Sequence, residues 1–117
     1  MRPSPTADQV YLVHMLECIA RITEYAGDDE ADFRASRLIQ DAVVRNLQTL
    51  AESSQRLTNE IKATEPGIPW RAISGFRNIL VHDYLTIDVD AVWVVVSREL
   101  PALRDALQRM AQRLRSV

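Results

Sequence analysis

The stretch that decides the fold is residues 31–63, ADFRASRLIQDAVVRNLQTLAESSQRLTNEIKA, which contains neither proline nor glycine. Apolar side chains recur in it at the spacing of one helical face. They are Phe33, Leu38, Ile39, Ala42, Val43, Leu47, Leu50, Leu57 and Ile61. The pattern predicts one long helix, interrupted on its apolar face by polar Ser53, Ser54 and Gln55, which mark either a bend or an interface. Because an average helix has about 11 residues, we expect this one to be the spine of a helical bundle.

Sequence breaks lie on both sides of this stretch. Gly27 and the acidic residues 28–30 end a first helix and start the next, since acids oppose the positive end of a helix dipole. The first helix has its own apolar stripe of Leu12, Met15, Leu16, Ile19 and Ile22. Downstream, TEPGIP at residues 64–69 is the clearest break in the chain. Pro69 suits the first turn of a third helix, predicted over residues 70–84.

A fourth helix is predicted from residue 89 onward, although its start, VDAVWVVV, favours a strand by propensity alone. The longer spacing is helical through Val89, Val92, Trp93, Val96, Leu100, Leu103, Leu107, Met110 and Leu114. Pro101 is expected to kink or split this helix near Glu99. The last stretch carries four arginines that either complement the helix dipole or form a phosphate-facing strip. They are Arg104, Arg109, Arg113 and Arg115.

These segments predict an all-α fold, a bundle of four long helices with up-down topology, in a single domain over residues 1–117. Apolar content of 47% with 26% charged residues is ordinary for a soluble globular protein. No apolar run reaches the roughly 18 residues that a membrane span needs. The lone Cys18 excludes an internal disulfide and a cysteine-cluster metal site. We therefore expect a cytoplasmic protein.

The third predicted helix ends in a dense group of polar residues that includes Arg77, Asn78, His82 and Tyr84. On a regular helix Asn78 would adjoin His82, and Arg77 would adjoin Tyr84. Arg77 and His82 would point about 140° apart. If both act on one substrate, either the helix is distorted near its end or a second copy of the helix completes the site. A twofold dimer would supply that copy.

An imidazole near a guanidinium suits cleavage of RNA without a metal ion. His82 could take the proton of a 2′-hydroxyl or protonate the leaving oxygen, because imidazole titrates near pH 6.5. Arg77 could hold the phosphate and stabilise developing charge. No carboxylate cluster suited to magnesium is evident in the sequence, and we expect neither a metal nor a cofactor. The structural alternative is that His82 caps carbonyls at a helix end while Arg77 pairs with Asp83 or another acid.

Arg77, followed by four residues, His82, one residue and Tyr84, resembles the Arg-x4-His-x-Tyr motif of HepT toxins, members of the HEPN ribonuclease superfamily. Asn78 directly after the arginine also fits the HEPN pattern. The resemblance extends to residues 68–71, 88–93 and 99–103 and to the first two helices, so it covers nearly the whole chain. It departs at Ala51, where a glycine is expected before the glutamate.

The resemblance implies an all-α HEPN-like homodimer in which the arginine and histidine motifs meet at an interface cleft. It implies a metal-independent endoribonuclease that is the toxin of a type VII toxin–antitoxin system. Its partners would be RNA and an MNT-type minimal nucleotidyltransferase, the antitoxin. Whether the dimers join the antitoxin in a larger hetero-oligomer is left open. Arg77 and His82 would be catalytic and Asn78 supporting. Tyr84 would receive AMP from ATP, which inactivates the nuclease by placing a phosphate and a purine beside Arg77.

Two other functions stay open for the same residues. In one, the bundle is a non-catalytic HEPN module that binds a nucleotide or a nucleotidyltransferase, with Arg77 and His82 as ligands. In the other, it is the substrate-binding subunit of a nucleotidyltransferase that modifies small molecules.

Overall fold

The computed structural model describes residues 5–76, 81–82 and 86–115, with side chains over residues 7–76 and 87–115. The helices before the motif are α1 (Pro5–Ala26), α2 (Glu30–Ala35), α3 (Arg37–Arg56), α4 (Asn59–Ala63) and α5 (Trp70–Ser74). A short antiparallel ladder follows, in which β1 (Val81–His82) pairs with β2 (Thr86–Ile87). The chain continues through α6 (Val89–Val94), a π-helical segment (Val95–Glu99) and α7 (Leu100–Arg115). The predicted all-α fold class is confirmed, apart from this two-residue ladder.

The predicted end of the first helix is confirmed at Gly27. This glycine follows α1 with a φ of +62°, a conformation that side chains with a Cβ rarely adopt. Its N–H donates to the carbonyl of Thr23 at 3.1 Å, which closes the helix. Asp29 then caps α2, because its Oδ1 accepts from the backbone N–H of Ala31 at 2.8 Å.

The prediction of one uninterrupted second helix is wrong, because two side-chain caps divide it. Ser36 has an extended backbone, and its Oγ accepts from the N–H of Ile39 at 3.2 Å, which starts α3. Thr58 starts α4 in the same way, accepting from Ile61 at 3.2 Å. Asp8 of α1 holds Thr58 with both carboxylate oxygens, at 2.9 Å from its N–H and 2.7 Å from its hydroxyl. Side-chain caps of this kind replace helical hydrogen bonds and so compete with helix continuation.

The break at Ser36 also changes which side chains face the core. Leu38, which the sequence places in the apolar stripe, is 81% exposed. Gln40 is buried instead, and its Nε2 donates to the carbonyls of Phe33 and Arg34 at 3.0 Å each. An amide therefore ties the end of α2 to the start of α3.

The fourth predicted helix is helical through its whole β-branched start, as the longer spacing predicted. Pro101 has no N–H, and its ring excludes the carbonyl four residues earlier. Just before it, the N–H of Leu100 bonds to the carbonyl of Val95, five residues back. The wider turn buries Val95 rather than the predicted Val96, which is only half-buried. The expected irregularity near Pro101 thus takes the form of a π-helical segment.

One apolar core joins α1 to α3 on one side and to α7 on the other. Its fully buried side chains include Leu12, Met15, Ile22, Phe33, Val43, Leu47, Leu50, Leu107 and Met110. The rings of Phe33 and Trp93 lie 5.2 Å apart between centroids, which links α2 to α6. Ile73 and Val92, both buried, attach α5 and α6 to the same core. In the part of the chain that the structure describes, no helix has the length and apolar character that crossing a bilayer requires.

Candidate active site

The predicted site residues lie mostly outside the described part of the chain. Arg77, Asn78 and Tyr84 fall outside the described residues. For His82 the backbone is described, and it pairs with Thr86 in the antiparallel ladder. The structure therefore gives the backbone setting of one predicted catalytic residue and the segments that flank the motif on both sides.

The prediction of a continuous third helix over residues 70–84 is wrong in its last part. Helix α5 ends at Ser74, and Val81–His82 is a strand. The β-branched residues of the ladder suit an extended backbone. Because His82 lies in a strand, the helical argument that placed Asn78 beside it and Arg77 about 140° away no longer applies. The predicted dimer thus loses its geometric support, and it stays a prediction from the family resemblance.

The segment that enters the motif is anchored in the core. Ile73 and Phe76 are 4% and 5% exposed, and Phe76 directly precedes Arg77. The hydroxyl of Ser74 lies 3.3 Å from that of Ser54 on α3, and Ser54 is itself buried. Ser54, predicted to mark a bend or an interface, therefore lies at a contact within the chain, between α3 and α5.

A brace of ionic hydrogen bonds fixes the loop before α5. Glu65, at 10% side-chain exposure, accepts from Arg109 through both oxygens, at 2.7 and 3.1 Å, and from Arg113 at 2.7 Å. The hydrogen bond from Arg109, supported by Arg113, lowers the pKa of Glu65 to about 2 against the opposing effect of burial. The indole Nε1 of Trp70 donates to the carbonyls of Glu65 and Lys62 at 3.2 and 3.1 Å. Glu65 thus joins α7 to the first residue of α5.

This brace bears on the phosphate-facing strip, which is one of the two interpretations of the final arginines. Arg109 and Arg113 are bound to Glu65, and Arg113 also donates to Thr64 at 3.2 Å. Arg104 lies 3.4 Å from the carboxylate of Asp105. Three of the four arginines therefore have carboxylate partners, and the structure does not support a phosphate-facing strip built from all of them. The sequence carried no signal for Glu65, since its partners are more than 40 residues away.

The segment that leaves the motif is held by two carboxylates. Asp88, predicted as an N-cap, is confirmed in that role, because its Oδ1 accepts from the N–H of Ala91 at 3.0 Å. Asp90 lies 2.6 Å from Arg34, which also binds Glu30 at 2.7 Å. These contacts attach the start of α6 to α2.

A cavity of about 590 Å³ opens between these two flanks. Its walls are largely apolar, with Ala72, Ile73 and Phe76 from the α5 side and Val94 and Val95 from the α6 side. Three carboxylates, Asp88, Asp90 and Glu99, complete the lining. Such a cavity suits a flat, uncharged group that donates hydrogen bonds, and it disfavours a phosphate.

His14, the other histidine, has a structural partner. Its Nδ1 lies 2.8 Å from the hydroxyl of Ser53, a buried residue of α3. It lines a surface cleft of about 430 Å³ on α1 together with exposed Val10 and Val13. Among the residues that the structure describes, no three histidine, cysteine or acidic side chains converge to hold a metal ion.

Comparison with known proteins places the chain in a family. The model of the family described as Ribonuclease HepT-like matches residues 15–110. A Methanocaldococcus jannaschii protein named gamma-glutamylcyclotransferase and putative RNase is 34% identical over 91% of this chain, which spans only 48% of that protein. The probable ribonuclease HepT of Thermococcus cleftensis is 32% identical over 86% of this chain and 92% of its own length.

A third relative is the mRNA nuclease HepT of Shewanella oneidensis, which is 30% identical over 71% of this chain and 80% of its own length. No solved structure matches the chain at a significant level. The family match covers most of the chain and both flanks of the motif. The predicted family is therefore confirmed: this chain belongs to the HepT-like ribonucleases.

Proposed function

We propose that this chain is an endoribonuclease that cleaves RNA without a metal ion and acts as the toxin of a type VII toxin–antitoxin system. The family match over residues 15–110 carries the proposal, because that region contains Arg77, His82 and Tyr84 in the spacing of the HepT motif. Relatives named as HepT ribonuclease and mRNA nuclease support RNA as the substrate class.

In the proposed mechanism, His82 and Arg77 divide proton transfer and charge stabilisation. His82 removes the proton of a 2′-hydroxyl, whose oxygen attacks the adjacent phosphorus while the bond to the 5′-oxygen breaks. The leaving 5′-oxygen takes a proton from water, the protonated His82 returns its proton to the solvent, and the products are a 2′,3′-cyclic phosphate and a 5′-hydroxyl. Arg77 holds the non-bridging oxygens and stabilises the charge that develops on them, and Asn78 supports this pair.

The described segments on both sides of the motif support such a mechanism. Phe76 is buried and directly precedes Arg77, so the chain enters the motif from a rigid anchor. The backbone of His82 is paired with Thr86, and Ile87 beside Thr86 packs against the core. Catalytic groups gain most when rigid elements hold them in position before the substrate arrives. The anchored flanks therefore support a catalytic role for the motif.

The proposed active form is a homodimer with the two motifs in one cleft, and the proposed regulator is an MNT-type nucleotidyltransferase antitoxin. The partner would transfer AMP from ATP to the phenol of Tyr84, which lies two residues after His82. The adenylate adds a negatively charged phosphate that competes with RNA for Arg77. Modification would therefore switch the nuclease off.

RNA cleavage in EDTA tests this function. The wild-type protein is expected to cut RNA with EDTA present, and His82→Ala to be at least about a hundredfold slower, since general acid–base catalysis contributes roughly 10²–10⁴-fold. His14→Ala, which changes the only other histidine, is the matched control and should retain activity if circular dichroism shows that it is folded. Full activity in His82→Ala would remove His82 from the mechanism. No cleavage by the wild type, together with a stable complex with the nucleotidyltransferase, would favour the non-catalytic module.

A further inference from the structure

The cavity between α5 and α6 has a carboxylate that the rest of the structure does not use. Asp88 caps α6, and Asp90 is bound to Arg34. The side chain of Glu99, in contrast, makes no hydrogen bond or ion pair with any of the described residues and is exposed. It lines this cavity and also an adjoining space of about 150 Å³, which shares Ile73 and Phe76.

This carboxylate lies at the end of the π-helical segment. Val95 and Glu99 are the first and last residues of the segment, and both line the cavity. An apolar wall and an acceptor are thus brought to the same side of the chain. π-helical turns inside α-helices are frequent at functional sites, and here the segment is fixed by Pro101 directly behind Leu100.

The chemistry of the lining selects among the parts of a nucleotide. Carboxylates repel a phosphate but accept hydrogen bonds from N–H groups, and apolar walls favour a flat aromatic ring. A volume of about 590 Å³ lies within the range of small-molecule sites, roughly 300–1,000 Å³. Guanine presents a ring N–H and an amino group side by side, which matches the two oxygens of one carboxylate. Uracil presents a single N–H, and the ring edges of adenine and cytosine present an amino group beside an acceptor nitrogen.

The cavity is adjacent to both proposed catalytic residues along the chain. Phe76 in its wall directly precedes Arg77 in the chain. Asp88 in its lining follows Thr86 by two residues, and Thr86 is paired with His82. The cavity therefore adjoins, along the chain, both residues that are proposed to act on the phosphate.

We propose that this cavity is a base-specificity site for RNA, in which Glu99 accepts hydrogen bonds from a guanine next to the cleaved phosphate. The inference rests on the proposed function, because it needs the phosphate at Arg77. In this site the apolar walls pack against the faces of the guanine ring, and the carboxylate accepts hydrogen bonds from the N–H groups at its edge. The resulting nuclease prefers single-stranded sites that contain an unpaired guanine, since a base in a duplex cannot enter the cavity.

Two measurements on wild type and Glu99→Gln test the site. The first compares kcat/KM for four oligoribonucleotides that differ only in the base beside the mapped cleavage position. The wild type should prefer guanine by about tenfold or more, the scale of discrimination by a two-point contact to a base. The preference should be lost in Glu99→Gln, because the amide offers only one acceptor oxygen. Glu52→Gln, at an exposed position of α3, is the matched control and should behave as wild type.

The second measurement does not depend on cleavage. Binding of guanosine 3′-monophosphate and uridine 3′-monophosphate is followed by backbone amide shifts of Ala91, Val94 and Val95 in the cavity wall. Tighter binding of the guanosine compound, lost in Glu99→Gln, supports the site even if no RNA is cleaved, in which case the proposed nuclease function alone fails. Equal binding of both nucleotides, or cleavage without base preference in wild type and variant alike, overturns the base site while leaving the nuclease in place.

Discussion

Replacing Glu65 by glutamine removes the charge that Arg109 and Arg113 share at the start of α5. The substitution keeps the shape of the side chain and one acceptor oxygen. It should leave the two guanidinium groups beside each other with no carboxylate between them. Because the carbonyl of Glu65 also accepts from Trp70, the loss is expected to loosen the segment that leads into the motif.

The size of the effect follows from the pKa of Glu65. A pKa lowered from 4.5 to about 2, at about 1.4 kcal/mol per pKa unit, sets an upper limit of roughly 3.5 kcal/mol. The side chains of Arg109 and Arg113 are 54% and 44% exposed, however, so solvent screens part of the attraction. We therefore expect Glu65→Gln to lower the free energy of unfolding by about 1–2 kcal/mol at pH 7.

The same pKa predicts how this difference changes with pH. In the folded protein the pKa of Glu65 lies below its unfolded value, so its charge stabilises the fold fully above about pH 5. The contribution is lost as the pH falls toward 2, the folded pKa. Wild type and Glu65→Gln should therefore differ at pH 7 and converge between about pH 5 and pH 2.

Urea unfolding followed by circular dichroism at a series of pH values measures this difference. Glu52→Gln, an exposed glutamate of α3, is the control and should change stability by less than about 0.5 kcal/mol. A Glu65→Gln deficit that stays the same from pH 7 to pH 2.5 would refute the electrostatic argument. It would show instead that the side chain acts through its shape alone.

The remaining predictions concern the core, the modification and the dimer. Leu47→Ala should lower the free energy of unfolding in urea by about 2–5 kcal/mol, because Leu47 is fully buried. Leu38→Ala on the same helix should lower it by less than about 0.5 kcal/mol, because Leu38 is exposed. Equal losses would contradict the break at the start of α3. Incubation with the cognate nucleotidyltransferase and ATP should add AMP to the intact mass of the wild type and not to that of Tyr84→Phe, and a mass step in the variant would exclude Tyr84 as the acceptor. Mixing Arg77→Ala with His82→Ala chains should restore part of the RNA cleavage if each site combines two chains, and no recovery after subunit exchange would favour a site within one chain.

The sequence predicted the helices well in segments where the spacing of apolar residues alone determines the buried face. The buried faces of α1, α3 and α7 match the predicted stripes except at Leu38, and Gly27 and Asp88 act at helix ends as expected. The breaks before α3 and α4 were missed, although Ser36 and Thr58 are good caps by residue type. Thr58 is a cap partly because Asp8, 50 residues away, holds it, and no local pattern shows such a partner.

At the candidate site, too, the features set by local sequence were predicted, and the features set by contacts between distant residues were not. Motif spacing identified the family, which the comparisons confirm. The assumption of an unbroken third helix was wrong, since the strand at Val81–His82 depends on pairing with Thr86–Ile87. The brace at Glu65 and the cavity lined by Glu99 were likewise invisible to periodicity, because both are made by residues that meet only in the fold.

The most direct test of the proposed nuclease is the fate of a synthetic RNA with a single 2′-deoxy substitution at its mapped cleavage position. The test compares this RNA with its unmodified counterpart, incubated with wild-type protein in EDTA and resolved by mass spectrometry. Attack by the 2′-oxygen predicts that the unmodified RNA gives a 2′,3′-cyclic phosphate and a 5′-hydroxyl, and that the substituted RNA stays intact at that position. Cleavage of both RNAs at the same rate would contradict attack by the 2′-oxygen, and with it the role of His82 as the base that removes the 2′-hydroxyl proton.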